Sequence, residues 1–291
     1  MSPIISTISS SYRNYIKTIA STGGGGGYVP VISTTNLHSH WDFSRLTDPV
    51  STSYAANFTA IPSSSGLLIG ASSTTPTMYH RTVGGTFATT ISTQNSLKCL
   101  SLGGFSGSTN FGSFCQSDGN AFPDITSSSV SYTWIAVWKH STSIANWTRL
   151  YRWYLNGYGY DYNHGVWFIN SSNTELNAIN YSAAQRYGSI TDSNRASAAI
   201  VHYDIVTISG SNYTVSSNTT AGGSFTTTGS IASPAYSTST NANRYFQIRP
   251  VDYAGNSTYP GMVACEYAFY NRAMTQSEQT TTIGALRSKW G

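Results

Sequence analysis

Residues 130–139 read VSYTWIAVWK and carry a clear β-strand signal. Apolar residues recur in it at every second position. They are Val130, Tyr132, Trp134, Ala136 and Trp138. Successive side chains of a β-strand point to opposite faces, so a period of two places these residues on one face. The stretch therefore predicts a long strand with a mostly aromatic face, suited to the core of a β-sandwich.

Further strand signals lie along the rest of the chain, with turn residues between them. Strands are predicted at 149–155, 166–169, 199–209, 213–215, 245–251 and 262–270. Asn156-Gly157 and Gly210-Ser211 are typical of hairpin turns. Short strands joined in this way predict an all-β, antiparallel jelly-roll sandwich, and 291 residues are enough for one such domain.

The composition narrows the class of function. Charged residues make up 9% of the chain, against about 25% in an average soluble domain. The formal net charge of +4 comes from scattered basic residues, whereas a nucleic-acid-binding protein needs a clustered basic surface. No stretch approaches the roughly 18 consecutive apolar residues of a membrane span. We therefore expect neither nucleic acid nor a membrane span among the partners of this chain.

One helix is predicted at the C-terminal end of the chain. Thr275 and Glu278 have the spacing of a capping box, in which each side chain binds the backbone N–H of the other residue. Ile283, Leu286 and Trp290 follow at helical spacing. The sandwich is thus expected to end in a strand, a tight turn and a short capped helix.

A run of five glycines at 23–27 separates the first 22 residues from the rest. Glycine runs have high backbone freedom, so residues 23–29 are predicted to be a hinge between an N-terminal arm, 1–22, and a body, 30–291. The arm repeats apolar residues at the spacing of a narrow helical seam. The seam residues are Ile5, Ile8, Tyr12, Tyr15 and Ile19. A helix this short is marginal alone in water, so it must pack against something. We expect anchoring or oligomerisation, and the alternative is an arm folded back on its own body.

The C-terminal residues resemble the end of concanavalin A-like lectin and glucanase domains of the laminin-G/pentraxin branch. The matching positions are Gly261, Val263, Glu266, Tyr267, Tyr270, Asn271, Arg272, Met274, Glu278, Ile283 and Leu286. Two further stretches are similar to the middle and the opening strand of such domains. They are residues 200–223 and the segment from Leu37 to Phe43. The resemblance covers the body from about residue 30 onward and implies a concanavalin A-like sandwich.

That family includes sugar binders, protein binders and glucan hydrolases, and it is common on the fibres and capsid appendages of viruses and phages. Its hydrolases carry a Glu-x-Asp-x-x-Glu arrangement on one strand. This chain has three glutamates, Glu175, Glu266 and Glu278, and no such cluster. Glu266 has no acidic neighbour two or four residues further along its strand. We therefore expect a protein that is not an enzyme, with an atypical glycoside hydrolase as an alternative.

A segment rich in tyrosine, at 153–165, is the candidate glycan site. Its candidate residues are Tyr158, Tyr160, Asp161, Tyr162, Asn163 and His164. Aromatic faces offer flat apolar area to a sugar ring, and the polar side chains can bind its hydroxyl groups. The alternative is a hairpin in which Tyr158, Tyr160 and Tyr162 cover one face of a sheet.

Metal and cysteine signals are sparse. Asp118, Asn120 and Asp124 could supply oxygen ligands to Ca²⁺, although Asp-Gly-Asn is also an ordinary turn sequence. His38 and His40 share a strand face but have no third ligand nearby in sequence. The three cysteines, Cys99, Cys115 and Cys265, are widely spaced and are expected to be buried thiols. We accordingly expect no cofactor beyond this candidate Ca²⁺.

Together these patterns predict a structural protein of a virus or phage particle. The arm would attach to other particle proteins and form a trimer, while the sandwich would face outward as a tail-fibre or capsid-decorating lectin. It would adhere to host-surface glycan or stabilise the particle. The N-terminus lacks the pattern of a secretory signal, which agrees with a protein located on the virion. The alternative is a free carbohydrate-binding lectin.

Overall fold

The computed structural model describes the following residues: 31–46, 59–60, 78–83, 89–102, 105–106, 112–117, 121–123, 131–140, 149–155, 163–168, 175–180, 185–191, 200–220, 224–230, 244–248, 258–259 and 261–291. The predicted arm at 1–22 and the predicted hinge at 23–29 lie outside this set. That division of the chain therefore stays a prediction.

Two antiparallel sheets form the body of the described structure. The first sheet contains, in spatial order, β15 (Ser224–Ser230), β14 (Asn212–Thr219), β13 (His202–Ser209), β8 (Ser131–His140), β18 (Met262–Tyr270), β5 (Leu97–Leu102) and β4 (Thr89–Gln94). The second contains β12 (Gln185–Thr191), β11 (Glu175–Asn180), β10 (Asn163–Phe168), β9 (Arg149–Leu155), β16 (Arg244–Ile248), β7 (Gly112–Ser117), β3 (Met78–Val83) and β2 (Thr59–Ala60).

Strand β18 is the centre of the first sheet. Its C-terminal half pairs with β1 (Leu37–Asp42), and its N-terminal half pairs with β5. The two strands β1 and β5 therefore lie end to end along one side of β18, while β8 occupies the other side. A short 3₁₀ helix, Phe43–Arg45, follows β1. A small separate ladder joins β6 (Phe105–Ser106) to β17 (Thr258–Tyr259).

The main core fills the space between the two sheets. Trp134 and Phe269 of the first sheet are fully buried there together with Trp153 and Phe246 of the second. The rings of Trp153 and Phe246 stack with centroids 4.1 Å apart, and Phe269 meets Trp153 edge-on at 4.9 Å. Such aromatic pairs add roughly 0.5–1.5 kcal/mol beyond the area that they bury. The face predicted from the period of two in β8 is thus confirmed as the core face.

The opposite face of the first sheet is also buried, because the C-terminal helix α1 (Gln276–Trp290) covers it. Ile135 and Ala268 on that face lie in one apolar cluster with Ile283, Leu286 and Trp290 of the helix. The predicted capping box is present, with the backbone N–H of Glu278 donating to the Thr275 hydroxyl. All nine residues of β18 are consequently buried.

The predicted all-β sandwich with a short C-terminal helix is confirmed. The predictions for β9 and β18 match the observed bounds, whereas β14 runs four residues beyond the predicted Val215, to Thr219. Strands β3, β4, β5, β7, β11, β12 and β15 were not predicted. Within the part of the chain that is described, no helix combines the length and apolar character needed to cross a membrane.

Candidate functional site

Three ionisable side chains meet under the C-terminal helix, on the helix-facing side of β1 and β18. The register of the sheet places Asp42 directly opposite Glu266 and His40 opposite Ala268. A bulge at Cys265 interrupts the pairing of β18 with β8 between Ala264 and Glu266. A bulge of this kind changes which face the following side chains point to. Glu266 therefore faces the helix together with His40 and Asp42.

The helix contributes the fourth charged group of this cluster. Lys289 Nζ donates to Asp42 Oδ2 at 2.6 Å and to Glu266 Oε2 at 2.7 Å. The indole N–H of Trp290 donates to the same Glu266 oxygen at 2.8 Å, and His40 Nε2 lies 2.7 Å from Glu266 Oε1. The side chains of His40, Asp42 and Glu266 are fully buried, and that of Lys289 is 4% exposed. These residues are called the ionic cluster below.

Burial and neighbouring charges shift the pKa values of Asp42 and Lys289 in opposite directions. Burial alone would raise the pKa of Asp42, but the electrostatic effects of Lys289 and His40 and the hydrogen bonds from Lys289 and Ser44 lower it to about 2. Burial alone would lower the pKa of Lys289, and the two carboxylates raise it. The carboxylate of Asp42 and the ammonium of Lys289 therefore remain charged at neutral pH although both are buried.

The ionic cluster also has the composition of a metal site. The ligand atoms of His40, Asp42 and Glu266 lie within 4.8 Å of one another, and such nitrogen and oxygen ligands bind divalent metals. Lys289 Nζ, however, lies within hydrogen-bond distance of both carboxylates and supplies the positive charge itself. The arrangement thus fits an anchor that holds α1 on the sheet.

This geometry adds a neighbour that sequence positions do not show. The sequence offers no third ligand near His38 and His40, and no acidic residue two or four positions beyond Glu266. The structure brings Asp42 beside Glu266 across the β1–β18 pair, although the two residues are 224 positions apart in sequence. Local spacing cannot reveal a pair formed across strands, so the sequence carried no signal for it.

A second buried polar group lies between the sheets. Trp138 Nε1 donates to Asp204 Oδ2 at 2.7 Å, and the Ser217 hydroxyl donates to Asp204 Oδ1 at 2.6 Å. The His202 ring stacks on Trp138 with centroids 4.3 Å apart, and His140 lies parallel to His202 at 6.0 Å. This group of residues was not predicted from the sequence. The signal was a charged residue, Asp204, inside an otherwise apolar and β-branched strand.

Two of the six predicted glycan-binding residues belong to the described part of the chain. Asn163 and His164 begin β10 and pair with Tyr154 and Trp153 of β9. Tyr158, Tyr160, Asp161 and Tyr162 lie outside the described residues. Trp153, which belongs to the same aromatic segment, is fully buried in the main core. The indole of Trp153 is therefore a core group and not a surface platform for a sugar.

Arg244 brings two distant segments to the same end of the second sheet. It pairs with Leu155, the last residue of β9. Its carbonyl accepts from the backbone N–H of Ala121 at 2.8 Å, and its Nε donates to the carbonyl of Phe122 at 2.7 Å. This end of the sheet is called the Arg244 end below, and both Leu155 and Asn163 lie at it.

The predicted metal ligands flank the segment that Arg244 holds. Asp118, Asn120 and Asp124 themselves lie outside the described residues, and so do the predicted assembly residues. The latter are Ile5, Ile8, Tyr12, Tyr15 and Ile19. Ala121 and Phe122, between the candidate ligands, are fully buried, and Phe122 contacts Trp153 at a centroid distance of 6.2 Å.

Comparisons with known proteins identify a fold but not a family. No family model matches the chain. No curated protein matches it either. A structure of botulinum neurotoxin type C, whose cell entry depends on interaction with two ganglioside molecules, is similar with a TM-score of 0.54. That match has 10% identity and covers 89% of this chain and 52% of the toxin chain.

Other solved structures match at lower TM-scores. The CBM2 module of an evolved Dit protein from Lactobacillus casei phage J-1 has 11% identity and a TM-score of 0.45, with 82% of this chain and 97% of that chain covered. A Trypanosoma rangeli sialidase mutant with trans-sialidase activity has 13% identity and a TM-score of 0.47, with 98% of this chain covered. The chain spans 39% of the length of that sialidase.

The prediction that the protein is not an enzyme is contradicted by these matches. They include glycoside hydrolases, namely the sialidase and an arabinofuranosidase. The missing Glu-x-Asp-x-x-Glu motif was therefore not sufficient ground for excluding catalysis. At identities near 12% the likeness does not assign a reaction to this chain. What the comparisons show is an all-β sandwich.

Proposed function

We propose that this protein binds glycans at the Arg244 end of its sandwich and is carried on a virus or phage particle by its N-terminal arm. The observation that supports the binding site is the convergence at Arg244. The tyrosine-rich segment leaves β9 at Leu155 and enters β10 at Asn163, both beside Arg244 or one strand away. The segment that carries the candidate Ca²⁺ ligands is held by the same arginine.

This convergence has a chemical consequence. Glycan recognition combines aromatic faces with a few well-placed polar groups, and a rigid sheet end can hold loops that supply both. Tyr158, Tyr160 and Tyr162 would provide the faces, and Asp161, Asn163 and His164 would bind sugar hydroxyls. Asp118, Asn120 and Asp124 would hold Ca²⁺ nearby if the site depends on a metal.

We also propose that the fold belongs to the concanavalin A-like branch. The support is the order of elements at the C-terminal end: strand β18, a turn at Asn271 and Arg272, and a capped helix. In the turn, Arg272 forms an ion pair with Glu278 at 2.9 Å and donates to the Thr35 carbonyl at 3.2 Å. Arg272, one of the residues that carry the resemblance, thus connects the start of the helix to the turn before β1.

A glycan array with the full chain tests the binding proposal. We expect a defined class of glycans to be retained, with a strong loss of signal for Tyr160→Ala and Asp161→Ala. Thr280→Ala, on the exposed side of α1, is the matched control and should bind like the unchanged protein. Repeating the array with a calcium chelator tests whether glycan binding requires Ca²⁺. Equal binding by all variants would refute the proposed site.

The virion role depends on the arm and needs a separate experiment. We propose that the seam forms a trimer and docks onto other particle proteins. Light scattering on the full chain should then give three times the 31.3 kDa of one chain. Ile8→Asp, in the seam, should give monomers, whereas Ser10→Asp, off the seam, should not. A monomeric unchanged protein would contradict the trimer, and the free lectin would then be favoured.

A further inference from the structure

Two cysteines occupy neighbouring positions on adjacent strands. Strands β5 and β18 pair in the register Met262 with Leu102, Val263 with Ser101 and Ala264 with Leu100. The pairing ends at Ala264 and Leu100, and the next residues along the two strands are Cys265 and Cys99. Residues directly opposite in an antiparallel pair have Cβ atoms about 4.5–5.5 Å apart.

Both side chains point to the same face of the sheet. Cys99 and Cys265 are fully buried and lie in the apolar cluster beneath α1, together with Ile283 and Leu286. Each thiol shifts the pKa of the other, as groups that lie close together do. Disulfides join cysteines whose Cβ atoms are about 3.5–4.5 Å apart, so the two strands need to move together only slightly for a covalent bond.

We propose that Cys99 and Cys265 are a disulfide-forming pair, oxidised by a small-molecule disulfide of the oxidised-glutathione class. The thiolate of Cys99 attacks one sulfur of the small disulfide and releases one small thiolate, which leaves a mixed disulfide on Cys99. The thiolate of Cys265 then attacks the Cys99 sulfur and releases the second small thiolate. Two protein thiols are oxidised, and one small disulfide is reduced to two thiols.

The surroundings assign different roles to the two thiols. The hydrogen bond from Cys265 lowers the pKa of Cys99 despite its burial, and the nearby charge of Lys139 acts in the same direction. Burial raises the pKa of Cys265 well above its usual value. Because the thiolate is the nucleophile in exchange, these directions favour Cys99 as the first sulfur to react once the two strands are paired.

The disulfide would connect two parts of the structure that hold the helix. The β4–β5 hairpin binds the end of α1, since Gln94 Nε2 donates to the carbonyl of Trp290 at 2.9 Å and Asn95 Nδ2 donates to that of Lys289 at 2.8 Å. Strand β18 binds the same helix end through Glu266. A bond between Cys99 and Cys265 would fix the hairpin to β18 at this point.

Access to the pair depends on the helix. Because α1 covers both sulfurs, we expect oxidation to be fast during refolding, before the helix closes, and slow in the folded protein. The chain between the two cysteines is long, and a disulfide that closes a long loop is expected to stabilise the folded protein more than one that closes a short loop. We expect the disulfide to raise the melting temperature by about 5–10 °C.

The test uses the full chain with Cys115→Ser, because a tryptic peptide of residues 99–139 contains both Cys99 and Cys115. Cys115 lies on β7 in the other sheet, so its removal leaves the pair in place. The variant is refolded in a mixture of reduced and oxidised glutathione. We expect a mass lower by about 2 Da, because two hydrogens are lost, and a linked pair of peptides, 99–139 with 245–272.

Cys99→Ser combined with Cys115→Ser is the matched control. Adding a reductant should lower the melting temperature of the oxidised Cys115→Ser protein and leave that of the control unchanged. Two free thiols after refolding, measured by alkylation of the unfolded protein, would overturn the proposal. A linked pair without any change in melting temperature would overturn the stabilising role.

Discussion

The ammonium group of Lys289 lies 2.7 Å from the carboxylate of Glu266, at a place where both side chains are shielded from water. One residue is near the end of the C-terminal helix, and the other is on the central strand of the first sheet. Removing charges from water costs several kcal/mol per ion, so a buried ion pair of this kind is retained only with good geometry and further hydrogen bonds. Trp290 and His40 supply those bonds to Glu266.

Lys289→Met should destabilise the protein strongly. The substitution keeps most of the side-chain volume but leaves Asp42 and Glu266 as two buried carboxylates without their cation. Breaking a buried pair in this way costs about 3–5 kcal/mol. Urea denaturation measures the free energy of unfolding. Lys98→Met, at an exposed position of β5, is the control and should change it by less than about 0.5 kcal/mol.

A double substitution tests whether Lys289 and Asp42 interact in the ionic cluster. Lys289→Met combined with Asp42→Asn leaves one buried carboxylate instead of two, so it should cost less than the sum of the two single changes. Strictly additive costs would show that Lys289 and Asp42 do not interact, which would contradict the description of the ionic cluster.

The stability of the protein should fall at acid pH in a way that depends on Asp42. Burial raises the pKa of this carboxyl, but Lys289 and His40 lower it from 3.8 to about 2 in the folded protein. Since the folded pKa lies below the unfolded value, the stabilisation is present above pH 3.8 and is lost as the pH falls through about 2. At 1.36 kcal/mol per pKa unit, the contribution is roughly 2 kcal/mol.

Urea unfolding between pH 5 and pH 2 measures this effect, with Asp42→Asn as the comparison. The variant should lose less stability over that range than the unchanged protein. The pKa of Glu278 is also lowered to about 2, by Arg272 first and then by the backbone of Thr275. Because Glu278 is the same in both proteins, the difference between them reports Asp42. Parallel curves would show that Asp42 contributes nothing.

Thr275→Ala should destabilise the protein by about 1 kcal/mol, because the first turn of α1 loses its cap. The hydroxyl of Thr275 accepts from the backbone N–H of Glu278 at 3.2 Å, and the Glu278 carboxylate accepts from the backbone N–H of Thr275 at 2.7 Å. Thr281→Ala is the control, because Thr281 is exposed in the same helix. That change should be neutral or slightly stabilising, since alanine favours helix. Equal effects of the two substitutions would show that the cap contributes little.

The parts of the fold that could be predicted are those with strong local signals. The alternation in β8 and the capping box at Thr275 depend only on neighbouring residues, and both are present in the structure. Strands such as β4 and β15 consist largely of Ser and Thr. Those residues give no apolar alternation, so a hydrophobic period cannot locate these strands.

The ionic cluster could not be predicted for a different reason. It joins β1, β18 and α1, and the pairing of Asp42 with Glu266 is fixed by the β1–β18 register and by a bulge at Cys265. Neither feature has a local sequence signal. Trp153 shows the converse problem, because it belongs to an aromatic segment that indicated a surface site and yet fills the core. Composition alone does not tell which aromatic side chains face inward.

Calorimetric titration of the full chain with the glycan class found on the array tests glycan binding at the Arg244 end. Tyr160→Phe retains the ring and Tyr160→Ala removes it, while Thr280→Ala serves as the control. Apolar area buried on an aromatic face contributes about 25 cal/mol per Å², so Tyr160→Ala should weaken binding by roughly tenfold, with little change for the other two. Equal affinities for Tyr160→Ala and the unchanged protein would contradict glycan binding at the Arg244 end.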